Sequence, residues 1–123
     1  MAANIKSYRD LLVWQQAMDL AVLCYKLSKA FPKEDLFGIT SKIRRSSASV
    51  AANIAEGHGR ESSATFVQFL RIAQGSLKET ETHLILAGRL QLGSTQHLAS
   101  ALTSCEEIGK MLRSLIRAIQ DKK

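Results

Sequence analysis

The sequence predicts an all-α protein: a single antiparallel four-helix bundle in up-down-up-down order. Three observations predict it. Apolar residues recur at helical spacing in four separate stretches. The breaks between those stretches are only a few residues long, which makes sequential helices antiparallel. Composition agrees: one proline, 6% aromatic residues, and abundant Ala, Leu, Gln, Glu, Lys and Arg. With 123 residues, 46% hydrophobic and 23% charged, the chain can bury one core of its own. The expected domain is 1–123, with helices over about 8–30, 36–57, 63–90 and 95–121.

The first helix is expected to open at Ser7, where "SYRD" sets an acid three positions after a serine in a capping-box pattern. Leu11, Trp14, Met18, Ala21, Val22 and Tyr25 then recur on one side, widened by Leu20, Leu23 and Leu27. Pro32 biases Phe31 toward extended backbone and stops this helix near Ala30. The second helix is expected to start between Asp35 and Gly38, to bury Ile39, Ile43, Val50 and Ile54, and to stop at Gly57 and Gly59. The third starts near Ser62 or Ser63, carries Phe66, Phe69, Leu70, Ala73, Leu77, Leu84 and Ala87, and ends near Leu90, before Gly93. The fourth starts at Ser94 and shows Leu98, Leu102, Cys105, Leu112, Ile116 and Ile119. Its cationic tail, "RAIQDKK", suits the negative end of a helix dipole.

The stretch "SASVAANIAEGHGR", Ser47 to Arg60, has almost no large side chains. A phosphate-binding loop is excluded, because G-x-x-x-x-G-K-[ST] is absent and "GHG" follows no strand. The slim profile instead predicts a helix that a neighbour approaches closely, in the same chain or in another copy. Asn53 and Glu56 lie three apart beside the apolar face and are expected to make structural polar contacts, with arginine as the obvious partner.

Other chemistry leaves little trace. A di-iron site needs four carboxylates and two Glu-x-x-His pairs on facing helices. "ETETH" sets Glu79 and His83 on one face, but no second pair exists, so no metal and no cofactor are expected. Glu79 is expected to make a polar contact inside the bundle, with Arg44 or Arg45. No G-x-S-x-G is present, and neither Cys24 nor Cys105 has a histidine in its own helical neighbourhood, so no catalytic residue is assigned. Both cysteines read as small buried hydrophobes of a reducing compartment. No signal-peptide core or membrane span is recognisable, which places the chain in the cytoplasm and off the membrane.

The remaining signal is charge. The chain carries +6 with a pI near 9.6, a bias toward acidic partners. Lys42, Arg44, Arg45 and Arg60 cluster on the second helix and its exit, opposed there by Glu56. Lys110, Arg113 and Arg117 form a further stripe, and Lys26, Lys29 and Lys33 another at the end of the first helix. These faces read either as solvated surface or as a polyanion-binding surface.

"YRDLLVWQQAMDL", "LFGITSKIRRSSASVAANIAEGHGR" and "FLRIAQGSLKETETHL" together resemble the intervening-sequence, or S23, family of four-helix bundle proteins, over about Tyr8 to Ile119. Its strongest motifs here are Ile43-Arg44-Arg45, Asn53-Ile54-Ala55-Glu56-Gly57 and Gly75-Ser76-Leu77. Ala51 stands where relatives often carry proline, a departure that bears on local helix geometry. The resemblance implies a homopentamer, and kinship with the basic pentameric accessory protein of diversity-generating retroelements, which accompanies a reverse transcriptase and nucleic acid.

The expectation is therefore a non-enzymatic homo-oligomer that binds RNA or DNA through phosphates. The candidate residues are Lys42, Arg44, Arg45 and Arg60, with Lys110, Arg113 and Arg117 secondary. Five copies of a +6 chain would carry roughly +30, a field that concentrates polyanions. The alternative is an adaptor that recruits a protein partner and touches no nucleic acid.

Overall fold

Serine caps and apolar stripes set the helix boundaries in the computed structural model, which describes residues 5–122. Residues 1–4 and 123, the ends of the expected domain and the last residue of its cationic tail, lie outside the described residues. The Ser7 capping box forms: its hydroxyl accepts from the Arg9 amide, and the Asp10 carboxylate accepts from the amides of Ser7 and Lys6. It caps only a 3₁₀ turn, Tyr8–Asp10, because Leu11 is extended. Helix α1 follows as Leu12–Ser28.

The entry to the second helix differs from expectation. A 3₁₀ turn, Lys33–Asp35, runs into a π-type turn, Leu36–Thr40, inside which Gly38 leaves helical backbone at φ −109°, ψ −115°. Helix α2 is therefore Ser41–His58 and does not begin at residue 36. Helix α3 is Ser63–Arg89, capped by the Ser62 hydroxyl on the Thr65 amide, and α4 is Thr95–Gln120, capped by Ser94 on the His97 amide. Both caps are the serines that the pattern marks.

The four helices pack as a ring of neighbours: α1 with α2, α2 with α3, α3 with α4, and α4 with α1. Leu20, Ile43, Ile54, Leu70, Leu77, Leu84, Ile108 and Leu112 meet at the centre, each essentially without solvent contact. Burial of each such side chain stabilises by about 1.5–3 kcal/mol. The fold is one all-α four-helix bundle.

Two glycines do work other than stopping helices. Gly57 lies within α2, and neither it nor Gly59 turns left-handed. A Cβ at Gly57 would sit 2.5 Å from Phe69 Cβ and 3.1 Å from Phe66 Cδ1, so its missing side chain lets α2 and α3 touch. Beyond α3, Gln91 takes the left-handed conformation, φ 58°, and the Leu92 amide reaches back to the Ala87 carbonyl. Gly93, also left-handed at φ 71°, leaves room for the Phe31 ring; a Cβ there would lie 2.8 Å from Phe31 Cε1.

Gly57→Ala should destabilise the protein by about 1–3 kcal/mol, the usual cost of overpacking. Gly75→Ala, with no atom within 4 Å of the added methyl, should stabilise it by roughly 0.5–1 kcal/mol. Urea unfolding of the two variants checks both signs.

Candidate nucleic-acid interface

The basic residues of α2 separate by their angle around the helix. Arg44 turns toward α1: its Nε donates to Ser28 Oγ at 2.8 Å, its second nitrogen reaches the Tyr25 carbonyl at 3.4 Å, and its guanidinium lies 4.7 Å over the Tyr25 ring. It therefore ties the C-terminal end of α1 to α2, on a half-buried site. Arg45, one residue and about 100° further round, is exposed, as is Lys42. Among the described residues neither joins an ion pair.

Arg60 is partly engaged. It pairs with Glu56 Oε2 at 2.6 Å and stands 5.1 Å over the Phe69 ring. Both side chains are about half exposed, so this i,i+4 pair stabilises only by tenths of a kcal/mol. The arginine partner expected for Glu56 is thus the one at its own helix exit. Asn53 needs none: its amide donates to the Ser49 carbonyl and hydroxyl, 2.9 and 3.0 Å away. Glu79 reaches neither Arg44 nor Arg45. Arg44 faces the opposite neighbour, and the Glu79 carboxylate, 60% exposed, lies 3.9 Å from His83 Nε2.

Lys110, Arg113 and Arg117 are all exposed on α4. The structure adds cations from α3 that the sequence reading did not single out. Lys78, Lys110 and Arg113 line one groove between α3 and α4, with Glu81 and Glu106 as its acids. Lys78 pairs with Glu81 at 3.0 Å. Arg71 is also exposed and lies two turns before Lys78 on the same side of α3. Its seven-residue spacing to Lys78 was the available signal, hidden because the facing α4 stripe belongs to a different helix.

A second surface is apolar. Met18, Val22 and Tyr25 are 40–49% exposed on α1, and Ala48 and Ala52 are exposed on its neighbour α2. Phe37, on the kinked turn, is 92% exposed.

Cys24 and Cys105 are free and buried. Burial pushes the Cys24 thiol up to about 11, against a smaller lowering by a hydrogen bond with Ser47. Burial, with a smaller contribution from the charge of Cys24, pushes Cys105 up to about 12. Among the described residues, His, Cys, Asp and Glu form no group of three or more able to hold a metal ion, and no helix is long and apolar enough to cross a membrane.

An antiparallel four-helix bundle with lysines and arginines exposed along its outer grooves defines the class. Residues 9–114 match the family of 23S rRNA-intervening sequence proteins, and the chain belongs to that family. Among solved structures it resembles a Bacteroides thetaiotaomicron VPI-5482 protein of unknown function from the S23 ribosomal protein family. The two are 32% identical with a TM-score of 0.79, over 86% of this chain and 96% of the other. No curated protein matches the sequence.

Arg44→Ala should cost about 1–2 kcal/mol through the lost cation–π and hydrogen-bond contacts, while Arg45→Ala stays within about 0.5 kcal/mol; thermal unfolding separates them. The thiols also set a pH dependence. They ionise near 9.0 when unfolded and at about 11 and 12 when folded. The folded state thus holds protons that the unfolded chain releases. Their contribution to stability is complete below pH 9 and declines as pH rises from 9 through 11 and 12. Urea midpoints across that range, compared with a Cys24→Ala/Cys105→Ala variant, should converge as pH rises.

Proposed function

We propose that this protein is a non-enzymatic, self-associating bundle that binds RNA or DNA through the phosphate backbone, in the cytoplasm. One observation carries the reading: Lys78, Lys110 and Arg113, from two helices, converge on one groove, with Arg71 and Arg117 exposed on the same two helices. Glu81 pairs with Lys78 and Glu106 lines the same groove, which leaves Lys110 and Arg113, with Arg71 and Arg117 beyond, as the excess positive charge for an anion to meet. A duplex or structured strand supplies phosphates in a row, which suits cations spread along parallel rods. Lys42, Arg45 and the partly engaged Arg60 extend the cationic surface around α2. Arg44 contributes through the fold rather than through contact.

Binding of this kind is led by phosphates and reads sequence poorly. Aromatic stacking is a minor part of it, since Trp14 packs edge-on against Tyr8, Tyr25 lies beneath Arg44, and Phe37 is a single exposed ring on the turn before α2. Self-association rests on the exposed Met18, Val22, Tyr25, Ala48 and Ala52, where a second copy covers apolar surface; five copies is the number that family resemblance implies. The same face favours the second reading, an adaptor whose partner is another protein.

Titration of a labelled structured RNA at several salt concentrations tests the first reading. The log of the binding constant should fall with log salt by about 0.7–0.9 per phosphate contacted. Lys110→Ala/Arg113→Ala/Arg117→Ala should flatten that slope by about two to three units. Absence of binding at low salt overturns it, and a protein complex that survives nuclease then supports the adaptor. Light scattering tests assembly, and a monomer mass contradicts it.

A further inference from the structure

A second polar cleft lies on the other side of α3. Lys42, Arg45, Ser46 and Ser49 of α2 and Glu79 and His83 of α3 line a space of about 450 Å³ between the two helices. That is ample for a phosphorylated group, since small-ligand pockets run from roughly 300 Å³ upward.

Its floor is already satisfied. Thr80 Oγ1 donates to Ser46 Oγ at 2.9 Å, Ser46 Oγ reaches the Ile43 carbonyl, and the Ser49 and Ser76 hydroxyls share a hydrogen bond of 2.9 Å. These contacts brace the two helices and close the cleft at its base. Its walls are unsatisfied. His83 Nε2 is a buried nitrogen with no hydrogen-bond partner, a costly state for a polar atom unless something fills it. Lys42 and Arg45 enter no ion pair among the described residues. Glu79 Oε2, at 3.9 Å from Nε2, is too far to satisfy the imidazole, and its exposed side chain is free to swing into solvent.

We propose that this cleft binds a terminal phosphate, a phosphomonoester or inorganic phosphate, between Lys42, Arg45 and His83, with Glu79 moving aside. Three donors around a blind floor suit a group with three terminal oxygens and two negative charges. A backbone diester presents two such oxygens and one charge, and it must also leave the cleft at both ends. The best fit within a nucleic acid is therefore a 5′-phosphorylated end. That clause rests on the nucleic-acid reading above; the phosphate site itself does not.

The test uses the imidazole signals of ¹⁵N-labelled protein during titration with inorganic phosphate. His58 and His97, the other two histidines, are the internal controls. His83 should shift saturably while the controls do not, and Lys42→Ala/Arg45→Ala should abolish the shift. Glu79→Gln should tighten phosphate binding by about tenfold, the effect of removing one opposed charge from a charge-assisted site. A short oligonucleotide with a 5′-phosphate should bind about tenfold more tightly than its 5′-hydroxyl twin. That preference should vanish in Lys42→Ala/Arg45→Ala and persist in Lys110→Ala/Arg113→Ala. If phosphate leaves His83 unmoved, or moves all three histidines alike, the cleft proposal is wrong, even if both oligonucleotides bind. If phosphate shifts His83 but neither oligonucleotide binds, the site stands and the nucleic-acid reading falls.

Discussion

The contact between α2 and α3 is the constraint on which the rest of this bundle depends. Gly57 lies so close to Phe66 and Phe69 that a single added methyl would overlap them. Along the same seam toward the other end of the molecule, Ser49 meets Ser76 and Ser46 meets Thr80 through hydroxyl hydrogen bonds. At these contacts the helices leave no volume for a ligand; space opens between them beside the hydroxyl seam, in the cleft that Lys42, Arg45, Glu79 and His83 line. The contacts also demand that every polar atom in the seam find a partner, because desolvation of an unpaired hydroxyl costs about 1–3 kcal/mol. The serines meet that demand largely with one another, and the bundle holds apolar residues at its centre. The long charged side chains lie instead along the outer grooves, where they reach solvent.

Charge on those outer surfaces is organised by helix phase. Arg44 and Arg45 are adjacent in sequence yet have different roles, because about 100° of rotation turns one to the α1 seam and leaves the other in water. The Arg44 guanidinium, over the Tyr25 ring and bonded to Ser28, ties two helices together in a geometry that a lysine ammonium would not reproduce. Lys110 and Arg113 acquire significance only from Lys78 across the groove. A cation stripe on one helix is a solvated face; two stripes facing one groove are a surface that a polyanion can neutralise.

Membership of the 23S rRNA-intervening sequence protein family agrees with this architecture. The exposed apolar residues of α1, the small residues at the back of α2 and the projecting Phe37 are surface that water covers poorly. A second copy covering them would bring several basic grooves into one particle and multiply its field.

The sequence by itself determined the four helices, the serine caps at Ser62 and Ser94, most of the core of α2, α3 and α4 and the close approach at "AANIAEG", because periodicity, capping and side-chain volume are local properties. On α1 it centred the apolar stripe on the wrong face, since Met18, Val22 and Tyr25 are exposed while Val13 and Ala17 are buried. It misjudged the start of α2, since Gly38 breaks the helix inside an apolar run that reads as continuous, and it assigned Gly57 to a helix end when its role is contact with α3. Asn53 and Glu56 were legible as polar contacts, but their partners, Ser49 and Arg60, follow from rotamer and packing rather than residue type. Only the tertiary structure decided which cations are free, which lie opposite one another and where an imidazole is buried without a partner. Those facts depend on the phase of each helix against its neighbours, which no single stretch of sequence contains.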